Sequence, residues 1–238
     1  MKTAKFILIV LIFISEGTYA VTKNWIGAGA GTSDWNTSSN WNPSGIPGST
    51  DDAVIAISTA NTNITFSGAP GSITINSLTF TVSGNNRTGK LDISGNTVIV
   101  TSSATFNNPS GNSNTILSVG VNGGTSAGVF DFGGTVTMST VSNGIVELIG
   151  NVNSKLIFRN NLTFGPSGSI NTLNTPGTTE FTAVLSQSIT FNNSVGNFNN
   201  VTIGTGTNNP IVTFTGSSNA GLTRGGNRTR TIAMITGF

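Results

Sequence analysis

From Asp52 onward, apolar and polar residues alternate in short runs. Ile73-Thr74-Ile75, Leu78-Thr79-Phe80, Leu91-Asp92-Ile93, Phe130-Asp131-Phe132, Leu162-Thr163-Phe164, Val201-Thr202-Ile203 and Val212-Thr213-Phe214 all follow this rule. Successive strand residues point to opposite sides, so each run predicts one buried face and one wet face. β-branched and aromatic residues dominate the runs, as pleated, half-buried surfaces favour. Between them lie clusters such as Ser83-Gly84-Asn85-Asn86 and residues 107–111 and 204–210. Their Gly, Asn, Ser and Pro suit tight corners, where the backbone turns left-handed. No stretch after the first twenty residues spaces its apolar positions three and four apart over a helix length. The pattern predicts an all-β chain.

Regular short strands build either a β-sandwich or a solenoid. Internal repetition favours the solenoid. Asn-(Asn/Ser)-(Leu/Val)-Thr-(Phe/Ile) occurs at 76–80, 160–164 and 199–203, and Phe-Asn-Asn at 106–108, 191–193 and 198–200. The expected fold is a right-handed parallel β-helix with an N-terminal aromatic cap, and the alternative is a β-sandwich. In a parallel β-helix, inward apolar side chains form columns. Corner asparagines are expected to hydrogen-bond the asparagine of the next winding.

Residues 1–20 differ from all that follows. Lys2 and Lys5 precede an apolar run at 6–14 and a small-residue end at Thr18-Tyr19-Ala20. That is the layout of a secretory signal peptide, with an apolar run too short to span a bilayer. The expected division is a signal peptide at 1–20, a cap segment at 21–53, a β-helix at 54–220 and a frayed or truncated segment at 221–238. The expected localisation is secreted or cell-surface, with no membrane span in the mature chain.

Composition narrows the chemistry. The chain has no histidine and no cysteine, and only ten basic and eight acidic residues, for a net charge of +2. Ser-His-Asp triads, Cys-His pairs, disulfides and the usual zinc sites are excluded. Arg224, Arg228 and Arg230 are the nearest approach to a basic patch, too sparse for nucleic-acid binding. Asp92, Asp131 and Glu147 each sit between apolar residues and are expected to point outward, scattered singly rather than as a glycosidase pair. No cluster of these acids with Lys155 or Arg159 is legible. The adjacent Asp51 and Asp52 are weak calcium candidates, and a polar turn entering the first strand explains them better. No cofactor is expected.

All three tryptophans, Trp25, Trp35 and Trp41, fall in the entry segment. Solenoids need capped ends, so the rings are expected to close one end of the shaft. Glycan stacking on the same rings is the rival reading. Thr79/Thr81, Thr135/Thr137 and Thr213/Thr215 suggest an ice-binding ladder, but their unequal spacing argues against a flat array.

Trp25-Ile26-Gly27, Asp34-Trp35-Asn36, Asn40-Trp41-Asn42, Gly45-Ile46-Pro47 and Asp51-Asp52-Ala53-Val54-Ile55 form a series. It resembles the start of large secreted β-helical proteins of Bacteroidota and of some autotransporter-like adhesins. Residues 179–203 look like a repeat unit of the same proteins. The resemblance implies a β-helix exported by the type IX route, which reads a C-terminal sorting domain. No such domain is legible here, so the chain is expected to be part of a longer protein. The expected function is a non-catalytic, adhesin-like or structural module that presents a rigid polar surface to glycans or other cell-surface components. The alternatives are a carbohydrate-active module, lyase-like or glycan-binding, and an ice-binding module.

Overall fold

The computed structural model describes residues 19–27, 30–68, 71–93, 95–109, 116–120, 127–140, 145–149, 152–165, 170–184, 186–191, 195–204, 211–216 and 223–224. The charged and apolar segment at the N-terminus and most of residues 221–238 lie outside them. An entry segment carries β1 (Thr22–Trp25), β2 (Gly31–Asp34) and, after a single 3-10 turn, β3 (Trp41–Asn42). Three-sided windings follow. The first has β4 (Asp52–Ile57), β5 (Thr62–Thr65) and β6 (Ser72–Ile75), and the next has β7 (Ser77–Val82), β8 (Thr88–Asp92) and β9 (Thr97–Val100). Then come β10 (Ala104–Asn108), β11 (Ile116–Gly120) and β12 (Val129–Phe132), followed by β13 (Val136–Thr140), β14 (Ile145–Ile149) and β15 (Lys155–Phe158). The last are β16 (Leu162–Phe164), β17 (Ile170–Phe181), β18 (Ser186–Phe191), β19 (Val195–Ile203), β20 (Ile211–Gly216) and β21 (Thr223–Arg224). No helix among the described residues is long and apolar enough to cross a membrane.

Pairing runs between windings rather than within them. Sheet A stacks β20-β18-β16-β13-β10-β7-β4-β1-β3. Every pairing in it is parallel except β1 with β3, which lies antiparallel across the outer edge. Sheet B has two arms, one running from β2 through β14 and the other from β6 through β15, and they meet in β17. There the corner is absorbed into one long strand, which pairs with β14 at its start and with β15 at its end. The chain is therefore an all-β parallel β-solenoid, as its alternation predicts.

The core follows from the register. On sheet A, Ile55, Phe80, Phe106, Met138 and Phe164 occupy one inward column, and all five are fully buried. On the second arm of sheet B, Ile75, Val100, Phe132, Phe158 and Phe181 form another. Phe132, Phe158 and Phe181 stack with centroids 5.4 and 5.7 Å apart, adding about 0.5–1.5 kcal/mol per pair beyond burial. At the corner between β12 and β13, a Cβ on Gly134 would collide with the backbone carbonyl of Ser102 in the winding below. Glycine is required there by close backbone approach.

The repeated Asn-x-x-Thr motif falls on both sheets. Residues 76–80 and 160–164 enter sheet A, whereas 199–203 run in sheet B. At 76–80 and 160–164 it leads into a strand, and at 199–203 it closes β19. Corner asparagines bridge windings by accepting from backbone amides of the next one. Asn61 Oδ1 accepts the Thr88 N–H at 2.9 Å and Asn161 Oδ1 accepts the Ser188 N–H at 2.8 Å. A corner leaves backbone amides outside the ladder, and a side-chain oxygen satisfies them.

Phe158→Ala removes the middle ring of the stack. It is expected to destabilise the fold by about 3–5 kcal/mol, read as a lower urea midpoint. A change under about 1 kcal/mol would contradict the buried stack.

Candidate functional site

The outward positions of sheet A form one surface. Parallel pairing sets Thr79 beside Thr105, Thr105 beside Thr137, Thr137 beside Thr163, Thr163 beside Thr190 and Thr190 beside Thr215. Six threonines thus share one column on six successive strands. Their neighbours along each strand, such as Leu78 and Phe80 or Val136 and Met138, are buried. Strand alternation therefore turns the threonines outward. Small polar residues flank them: Thr81, Asn107 and Ser139 share one adjacent column, and Ser188 and Thr213 pair in the other.

Unequal spacing along the chain does not prevent this alignment. The separation is 32 residues from Asn107 to Ser139 but 25 from Thr190 to Thr215, yet both pairs are directly opposite. The surplus residues lie in sequence between β10 and β12, and strand register is preserved. Among the described pairings, the single register shift lies in sheet B, between Thr175 and Thr178. Hydroxyls also bond along the columns. Thr190 Oγ1 and Thr215 Oγ1 lie 3.1 Å apart, and Ser139 Oγ donates to Asn107 Oδ1 at 2.9 Å.

Charge is kept off this surface. From β7 to β20, no outward strand position of sheet A carries an ionisable side chain. The ion pairs sit on the second arm of sheet B. Arg159 grips Asp131 with two bonds of 2.6 and 2.7 Å, and Lys155 Nζ lies 2.8 Å from Glu180 Oε1. The bond to Asp131 raises the Arg159 pKa above its usual value, against the opposing effect of burial. Sequence spacing hides this cluster, because Asp131, Ile157 and Glu180 become neighbours only through register. Asp92 and Glu147 stand on the other arm, with β11 between their strands. Among the described residues no three His, Cys, Asp or Glu side chains gather as a metal site.

The calcium candidates hold protein donors. Asp51 accepts the Val21 N–H through Oδ1 at 3.2 Å and the Gly48 N–H through Oδ2 at 2.9 Å. Asp52 Oδ1 accepts Asn76 Nδ2 at 2.7 Å and Ser77 Oγ at 2.6 Å. These carboxylates fasten the entry segment and the first winding to the next.

The tryptophans form a closed cluster. Trp41 meets Trp25 and Trp35 edge-on at 5.0 and 4.6 Å, and Trp35 stacks on Phe66 at 4.9 Å. Trp41 Nε1 donates to the Trp35 carbonyl at 2.9 Å. Trp35 is 0% exposed, Trp41 1% and Trp25 9%. No ring offers a face to a sugar, so the glycan-stacking expectation has no geometric basis. A cavity of about 110 Å³ beside Trp25 is lined by Gly27, Ala56, Ile57, Ser58, Thr59 and Thr62, with no titratable group. Comparison of the chain with protein-family models, curated proteins and solved structures finds no match.

Asp34 fastens the same end. Burial disfavours its charge, but hydrogen bonds from Ser67, Asn36 and Thr37 outweigh this and hold its pKa below the usual 3.8. A lowered native pKa adds stability above the unfolded value, which is lost as pH falls through the native one. Asp34→Asn is therefore expected to cost about 1–2 kcal/mol at pH 7. The gap to the unsubstituted chain should close as pH drops below 3.8. Urea titrations at stepped pH check this, and a gap that widens on acidification contradicts it.

Proposed function

We propose that this chain is a non-catalytic, extracellular module of adhesin-like type, a rigid β-solenoid that binds through the hydroxyl face of sheet A. The observation that carries this reading is the six-threonine column on six consecutive parallel strands. A single exposed hydroxyl bond nets only about 0.5–1.5 kcal/mol. Repeated on a scaffold that is already ordered, such bonds add with little further entropy cost. The secretory layout of the first twenty residues and the tryptophan series that resembles secreted β-helical adhesins support the same reading.

Catalysis draws no support from the arrangement. General acid–base chemistry needs an ionisable group within reach of substrate. The hydroxyl face has none, and Asp131 and Glu180 are each engaged by a cation. The carbohydrate-active alternative is left without an exposed tryptophan.

The test is adhesion of beads coated with the chain to a panel of glycan-, cell- and mineral-coated surfaces. Thr163→Lys, which puts a charge at mid-face, is expected to weaken adhesion at least ~10-fold, equivalent to about 1.4 kcal/mol. Thr74→Lys, on sheet B, is expected to leave it unchanged. Equal adhesion by both variants, or polysaccharide cleavage by the purified chain, would overturn the proposal.

A further inference from the structure

Resting on that reading, we infer that the hydroxyl face of sheet A binds the surface of crystalline water. Three observations converge on this occupant. The first is periodicity. In-register parallel strands repeat at about 4.8 Å, and residues two apart on a strand repeat at about 6.6 Å. The threonine column and its polar neighbours therefore form a two-dimensional net of hydroxyl and methyl groups with fixed repeats. The strand repeat is close to the separation of next-nearest oxygens in hexagonal ice. A soluble ligand has no use for six identical rungs, whereas a lattice does.

The second is charge complementarity. Ice is a neutral array of donors and acceptors. Ions order their own hydration shells and disrupt such an array. The ionisable side chains Asp131, Lys155, Arg159 and Glu180 are on sheet B, and the outward strand positions of sheet A from β7 to β20 are neutral. An anionic polymer or an oppositely charged protein patch would find no partner there.

The third is the choice of side chain. Threonine is β-branched and stiff at χ1, so little rotamer freedom is lost when a solid surface settles on it. Each residue presents one hydroxyl and one methyl. The hydroxyl can join the lattice and the methyl can fill a hollow between oxygens. Crystalline polysaccharide is the nearest competitor, but flat sugar rings call for exposed aromatic platforms. The described aromatic rings on these strands, such as Phe80, Phe106 and Phe164, point inward and are fully buried.

The test is growth of a single ice crystal from a solution of the fluorescently labelled full chain, with thermal hysteresis measured in parallel. The unsubstituted chain is expected to label defined ice planes and depress the freezing point below the melting point. Thr137→Tyr, which raises a bulky ring at mid-face, is expected to abolish both effects. Thr74→Tyr, on sheet B, should retain both. Thr105→Tyr is a second mid-face variant should the first fail to fold, with circular dichroism reporting folding. Absence of labelling by the unsubstituted chain overturns the inference, as does equal labelling by a folded mid-face variant. Cellulose or chitin binding that depends on Thr137, without ice labelling, overturns the ice assignment and leaves the hydroxyl-face module standing. Adhesion indifferent to every face substitution removes both.

Discussion

Parallel pairing of equivalent strand positions from one winding to the next is the constraint on which this molecule depends. It satisfies the backbone along the stacking direction and places like side chains above like. Inside, it produces the Phe132–Phe158–Phe181 stack and the Ile55-to-Phe164 column. Outside, the same register lines up the threonines. Core and surface are therefore two readings of one ladder. A register slip by one residue would turn Phe106 outward and Thr105 inward together.

That coupling explains how the sides of the solenoid specialise. Sheet B accepts ion pairs because Arg159 and Lys155 reach across adjacent windings to Asp131 and Glu180. Outward from β7 to β20, sheet A carries only uncharged residues, mostly small polar ones, with the exposed Ile211 on β20. The entry end is closed differently. Three buried tryptophans, the antiparallel β3 and the carboxylates of Asp34, Asp51 and Asp52 tie the first winding down without a disulfide. The acidic residues near that end act as fasteners for backbone amides and side-chain donors.

The strands were legible because alternation is local: Leu78-Thr79-Phe80 declares its two faces without reference to any other segment. The solenoid was legible because the motifs recur, and the buried tryptophans because a solenoid end requires covering. The hydroxyl face was legible only in part: Thr79, Thr137 and Thr215 stood out as candidate rungs, but their alignment did not, because register depends on the lengths of the connections. Corners of different length lie between Thr105 and Thr137 and between Thr190 and Thr215, and counting residues hides that all four are in line. The Asp131–Arg159 and Lys155–Glu180 pairs were missed for the same reason. Asparagine was expected to stack on asparagine. Asn61 and Asn161 accept from backbone amides of the next winding, a need visible only once the ladder's ends are known.

Spin-label distances measure the shared register most directly, since the chain has no cysteine of its own. Labels at Thr79→Cys with Thr190→Cys, and at Thr79→Cys with Thr215→Cys, span four and five strand steps of sheet A. At about 4.8 Å per step, the account predicts narrow distributions centred near 19 and 24 Å, before correction for label length. Distances that fail to lengthen from the first pair to the second, or that fall near the ~10 Å spacing of two facing sheets, would contradict it.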